Sequence, residues 1–393
     1  MDNYEEDYKS LAVYDRLVER TRYNWEDYHS LPEYFLHSFN NYQKHVQALV
    51  GYVRLKVMEQ KHISVELHAK IFEVVMNYLQ GKPYVAYNLM SESFDLVKDI
   101  LLRKSEKLIK SPGMKKGKFI FKARVQQVGD ASPALRKDMF HIPFEKRHLV
   151  SGQRFSIHGV PSVYLGESIY DCYLELGKPD IDRFWVSLFF VPLGSDSKSC
   201  SIIDLTFANN QHLLSLLIHQ TKKEDVAYFN ALDSLVDDIL LWPLIMACSI
   251  VCKYPTAPFK QEYIVPQILL HLCNDVTGFN GVRYYSTKLD GVNRKKLQSV
   301  MVNYALPAQN IKTSGYCQYL ASRLSLTKPI SRKCISDIPI ESKYGYTKTG
   351  LPIISGRDEN LSNDKNILAL DTMTMHFDKL LQNNLGEVAQ IEN

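Results

Sequence analysis

Residues 153–176 read QRFSIHGVPSVYLGESIYDCYLEL, and this stretch decides the architecture of the chain. An apolar strand pattern around Tyr164 gives way to the segment Glu167 to Leu176, which is expected as a short helix. Strand followed so closely by helix is the texture of an α+β domain. It also sets Tyr164 and Glu175 eleven residues apart, where the helix can return the carboxylate to the cleft that the tyrosine faces.

Working outward, the same texture extends over residues 118–326. Phe184 to Val191 (FWVSLFFV), Ser201 to Leu205, Glu262 to Val265 and Val282 to Ser286 are expected strands, with Gln267 to Asn274 a helix among them. Residues 1–110 differ and predict an all-α helical bundle. Ser30 and Glu33 form a capping box that opens a long helix through about Gln60. Ile71, Val74, Val75, Tyr78 and Leu79 recur on one helical face, which Gly81 and Pro83 terminate, and a further helix is expected over Ser91 to Lys107. A basic linker occupies 111–117, and a polar tail, 327–393, carries an amphipathic stretch from Ile367 to Leu385. That stretch could pack on either domain or on a partner.

The 393 residues suffice for two cores, and 45% hydrophobic with 23% charged residues is ordinary globular composition. A net charge of +4 is too small to imply nucleic acid or an anionic membrane. The longest apolar run, Ile239 to Cys252, contains Pro243 and is too short to span a bilayer. The acidic N-terminus MDNYEEDYKS lacks a signal-peptide pattern, so a cytoplasmic location is expected. Seven scattered cysteines without a C-x-x-C pair predict buried thiols, with no disulfide and no metal site.

Five residues carry candidate chemistry. Arg124, in KFIFKAR (118–124), and Arg154 are suited to paired, charge-assisted hydrogen bonds with a pyrophosphate. Tyr164 offers a flat face for a planar ring. Glu175 could stabilise an oxocarbenium-like ribose, as acidic residues do in glycoside cleavage. Ser286, in GFNGVRYYSTK (278–288), could bond a ribose or phosphate oxygen. Taken singly, each has an ordinary alternative: a surface ion pair for an arginine, a core position for the tyrosine, a solvated helix face for the glutamate.

The blocks DMFHIPFEKR (138–147), QRFSIHGVPSVYLG (153–166), QEYIVPQILLHL (261–272) and GFNGVRYYSTK together resemble the RES domain. The resemblance implies an ADP-ribosyltransferase-like fold and NAD as substrate, with no further cofactor. It also implies a toxin that cleaves the nicotinamide–ribose bond with phosphate or water as acceptor, or transfers ADP-ribose to a protein or nucleic acid. It further implies a cognate antitoxin or regulatory protein as partner; a homo-oligomer is compatible with it, and no membrane is involved. Carried over, Arg154 and Glu175 are catalytic, and Arg124, Tyr164 and Ser286 bind NAD. Family members often read Tyr-Arg-Ala-Arg where this chain has Phe121-Lys122-Ala123-Arg124, so Lys122 competes with Arg124 for the first arginine's role. The helical region, with its turn GKPYVAY (81–87), looks like the HEPN-type domain that often precedes a RES domain. For an RNA-binding or ribonuclease activity of that domain the Arg-x4-6-His candidate is Arg22 with His29, while the match Arg136 to His141 falls outside the bundle, and a non-catalytic interaction or regulatory role is the better reading.

Overall fold

The computed structural model describes residues 2–20, 27–108, 120–129, 134–190, 200–207, 226–273, 278–288, 301–310, 312–332, 370–377 and 389–390. The linker 111–117, Arg22, and the tail apart from its described pieces lie outside these residues. The protein is α+β. Its described residues fall into two compact units, one within 1–105, 153–155 and 203–272, the other within 106–152, 156–202 and 273–393. The chain thus leaves the helical unit, visits the sheet, and returns.

The helical unit holds α1 (Asp2–Arg20), α2 (Leu31–Gln47), α3 (Gly51–Glu59), α4 (Lys61–Leu79) and α5 (Pro83–Lys104), together with the helices Val226–Ser249 and Ile264–Leu272. Ser30 caps α2 by accepting the Glu33 amide at 3.3 Å, while the Glu33 carboxylate reaches back to the amide of His29, 2.9 Å away. The single helix expected from Ser30 to Gln60 is two. The break has a cause that lies forty residues upstream: the Ser10 hydroxyl accepts from the Val50 amide (3.0 Å) and donates to its carbonyl (2.8 Å). With both backbone groups satisfied there, Gly51 turns at φ +60°, which favours glycine, and α3 begins.

On α4, Ile71, Val74 and Val75 are buried as their spacing predicts, whereas Leu79 is exposed at the helix end. Pro83 does not merely stop that helix. It opens α5, where its missing N–H is no loss, so α5 starts eight residues before the expected Ser91. The apolar run around Ile239 is the helix Val226–Ser249, buried on nearly every side. Its two buried acids are paired: Asp237 takes two hydrogen bonds from Arg103 (3.1 and 2.6 Å), and Asp238 takes Lys104 and the Tyr14 hydroxyl. The strand expected at Glu262–Val265 is instead the turn Gln261–Tyr263 running into Ile264–Leu272. Pro266 falls in the first turn of that helix, where it is tolerated, and Ile264, Ile268 and Leu272 then recur at helical spacing. Among the described residues, no helix is long and apolar enough to cross a membrane.

The other unit is built on a nine-stranded sheet in the order β1-β5-β6-β7-β3-β2-β4-β8-β9. Its strands are β1 (Glu106–Leu108), β2 (Ile120–Val125), β3 (Ser162–Gly166), β4 (Phe184–Phe190), β5 (Cys200–Asp204), β6 (Gly281–Tyr285), β7 (Val302–Pro307), β8 (Ser325–Leu326) and β9 (Ala389–Gln390). The helix α6 (Ile169–Glu175) lies against β2 and β3, and a core forms where Ile169, Tyr173, Phe121, Val186 and Leu188 meet. Residues 370–377, from the stretch whose packing was left open, bring Leu370, Met373 and Phe377 into that same core.

Candidate functional site

The site is assembled around the last residue of α6. The helix starts cleanly because Ser168 accepts the Asp171 amide while the Asp171 carboxylate accepts the Ser168 amide, both at 3.0 Å. It lies close to β3 because Gly166 has no side chain. A Cβ there would stand 3.0 Å from the Cys172 sulfur and 3.2 Å from Asp171 Cβ. Seven residues later the helix ends with Glu175 pointing at β6 and β7.

A carboxylate at a helix C-terminus faces the negative end of the helix dipole and needs compensating donors. Glu175 has them. Its Oε1 accepts from the Ser286 hydroxyl and from Asn303 Nδ2, each at 2.6 Å. The Lys288 ammonium lies 3.7 Å from Oε2 and also donates to the Glu175 backbone carbonyl, closing the helix end. Ser286 is held by its own amide, which donates to the Met301 carbonyl at 3.0 Å. Ser286 and Asn303 are buried, while Glu175 keeps 29% of its side chain accessible. The carboxylate is therefore fixed in direction yet open to a ligand. Cys172, on the same helix, offers no competing nucleophile, since burial pushes its thiol up and away from the thiolate.

Strand alternation places the remaining candidates. Gly166 pairs with both Asn303 and Phe121, and Tyr164 with Ala305, so Tyr164 is on the sheet face that α6 covers, together with Asn303. The Tyr164 hydroxyl donates to Ser156 Oγ at 2.9 Å, which tethers a half-buried ring. Phe121 and Ala123 pack beneath α6, so Lys122 and Arg124 project from the opposite face. There Arg124 is largely exposed and paired with Asp138 at 3.5 Å. Lys122 is half-buried, and desolvation brings its amine down to about 8. The same face carries a triad in which Glu167 Oε1 accepts from Arg283 at 3.0 Å and from the Tyr304 hydroxyl at 2.7 Å.

Arg154 belongs to the helical unit. The residue is 7% exposed, and its guanidinium donates to the Cys248 carbonyl at the end of helix Val226–Ser249 (3.3 Å) and lies 5.0 Å from the centre of the Tyr263 ring. These contacts occupy an arginine with its own backbone and an aromatic face. The pair Arg136 and His141 is likewise engaged. Arg136 donates to the Leu326 carbonyl, and His141 bonds Ile142 O at 2.7 Å and accepts from the Cys317 amide at 2.8 Å.

Two residues of the site were not singled out from the sequence. Lys288 stands two places after Ser286 in the quoted block. Asn303 interrupts the otherwise apolar MVNYALP, and a lone amide in a fully buried strand was the available signal.

No protein-family model matches the chain, and no solved structure matches it. A curated protein of Bacillus subtilis (strain 168), described as "Putative toxin YopC", is 30% identical over 307 residues, which cover 74% of this chain. The chain spans 64% of that protein's length.

Proposed function

We propose that this protein is a toxin of the RES type that destroys NAD by cleaving the bond between nicotinamide and ribose. The observation that carries the reading is the carboxylate of Glu175, oriented through Oε1 by Ser286 and Asn303, with Lys288 3.7 Å from Oε2 and 29% of the side chain accessible. Such a group can hold the ribose hydroxyls and stabilise the positive charge that develops as the glycosidic bond lengthens. Nicotinamide departs as a neutral base, so no strong general acid is required. Water or phosphate then adds to the ribose carbon and yields ADP-ribose or its phosphate ester. Tyr164, on the same sheet face, supplies a ring for the nicotinamide to rest on. The resemblance makes Arg154 catalytic and Arg124 an NAD contact; Arg154 donates to the Cys248 carbonyl within the helical unit, and Arg124 projects from the other sheet face. The toxin description of the Bacillus protein and the resemblance of blocks 138–147, 153–166, 261–272 and 278–288 support the assignment. A cognate antitoxin covering the accessible carboxylate is the partner this reading implies.

The test is chromatography of NAD incubated with the purified chain, with and without phosphate, beside Glu175→Gln. Nicotinamide release that depends on Glu175 is expected, and the phosphate dependence names the acceptor. Release that is undiminished in Glu175→Gln overturns the assignment. Label from NAD appearing on macromolecules without free ADP-ribose would redirect it to ADP-ribosyl transfer.

A further inference from the structure

Within the helical unit, α2 buries Leu31, Phe35, Phe39 and Val46, and a neighbouring strip of polar and aromatic residues faces a cavity. Tyr34, His37, Ser38, Asn41, Tyr42 and His45 recur at intervals of three and four and, with Trp242, border a cavity of about 300 Å³. That volume is at the lower end for small-molecule sites, roughly 300–1,000 Å³.

Two features indicate what the cavity takes. The first is a column of nearly parallel rings. His68 stacks on Phe39 (3.7 Å, 6°), Phe39 on Tyr42 (5.5 Å, 18°) and Tyr42 on Trp242 (4.9 Å, 15°). The polar atoms of the last two are spent on backbone: the Tyr42 hydroxyl donates to Ile239 O at 3.0 Å and Trp242 Nε1 to Leu17 O at 3.4 Å. Tyr42 is stacked on both faces, so the ring surface against which a further planar ring can stack is that of Trp242, the end of the column.

The second is an unsatisfied group. The Tyr34 side chain is 3% exposed, yet its hydroxyl has no hydrogen-bond partner. Burying an unpaired hydroxyl costs about 1–3 kcal/mol, so such a group calls for an explanation. Ser38, one turn on, influences the phenol without completing a hydrogen bond. Burial pushes the phenol up to about 12, which keeps the hydroxyl neutral and able both to donate and to accept. Asn41 and His45 add hydrogen-bonding edges; His45 uses Nδ1 on the Asn41 carbonyl (2.7 Å). Leu17, Asp27 and Tyr28 complete the described lining, and the Lys253 ammonium donates to the Tyr28 carbonyl at 3.0 Å.

From the ring column and the unpaired Tyr34 hydroxyl, we infer that this cavity binds a nucleobase or nucleoside, separately from the Glu175 site. The base extends the stack at Trp242, and the Tyr34 hydroxyl bonds its polar edge.

Calorimetric titration of the full-length chain with adenosine, guanosine, cytidine and uridine tests this, with adenosine monophosphate and a short single-stranded RNA as charged comparators. At least one nucleoside is expected to bind at a one-to-one ratio. Tyr34→Phe should weaken that binding about tenfold while leaving the empty protein equally or more stable, because the hydroxyl it removes was unsatisfied. Glu175→Gln should leave it unchanged, which separates this site from the NAD reaction. Absence of saturable binding by all four nucleosides overturns the proposal, as does binding that Tyr34→Phe leaves intact. Tighter binding of the RNA than of any nucleoside would refute a single nucleoside as the ligand.

Discussion

Arg154 and Glu175 sit twenty-one residues apart in the segment that decides the fold, and both carry charge, yet their surroundings are opposite in kind. Arg154 is buried and holds other parts of the protein in place: a helix-terminal carbonyl and an aromatic face. Glu175 is held in place by others, through a hydroxyl, an amide and an ammonium, and keeps part of its surface open. A charge that supports structure and a charge that is supported for use can look alike in sequence. The direction in which the contacts run tells them apart.

The sharpest way to break this contrast is to exchange the readouts. Glu175→Gln should reduce NAD cleavage about a thousandfold, equivalent to about 4 kcal/mol of transition-state stabilisation. Its stability, read by urea unfolding, should move by less than about 1 kcal/mol, since the amide keeps an oxygen for Ser286 and Asn303. Arg154→Leu should do the reverse, lowering stability by about 3 kcal/mol because it strands the buried groups that the guanidinium satisfies. A stable Arg154→Leu protein without activity would return Arg154 to the catalytic machinery.

A pH titration compares the two units. His68, stacked on Phe39 in the helical unit, and His141, bonded to the Cys317 amide in the sheet unit, are both desolvated, and burial lowers each imidazole from 6.5 to about 4. Between those values the unfolded chain binds a proton that the folded chain refuses, so stability falls as pH drops from about 6.5 towards 4 and is unaffected above that window. Each histidine contributes up to about 2–3 kcal/mol to the loss. His68→Phe should flatten the pH dependence of helical-unit unfolding and leave that of the sheet unit, as read by hydrogen exchange.

Smaller effects sharpen the account of Glu175. Asn303→Ala removes one charge-assisted hydrogen bond and should slow NAD cleavage roughly tenfold. Arg124→Ala breaks an exposed pair, should cost less than about 1 kcal/mol, and should leave turnover within about twofold. A large loss of turnover there would bring the pyrophosphate back to β2.

How much of this was legible in the sequence depended on how far apart the causes lie. The strand at Tyr164 and the helix leading to Glu175 could be read from local pattern, and Glu175 and Ser286 as members of one site from family resemblance, but not the bond between them. The break between α2 and α3 could not, because it is made by a hydroxyl on α1. The helix Val226–Ser249 announced its burial through uniform apolarity, but a helix apolar all round does not reveal which elements it packs against. It joined the N-terminal helices through Asp237 and Asp238, whose partners Arg103 and Lys104 are 134 residues distant. The opposition of Arg124 and Glu175 across the sheet needed the register of β2 against β3, which a single strand does not carry.

The return of the chain through the helical unit has a consequence in time. During synthesis Glu175 is made 111 residues before Ser286 and 128 before Asn303. At about 5–20 residues per second, translation takes on the order of ten seconds to supply its supports. A nascent chain therefore carries the carboxylate without the geometry that directs it, and a cell making this protein meets the assembled site only after Asn303 has been added.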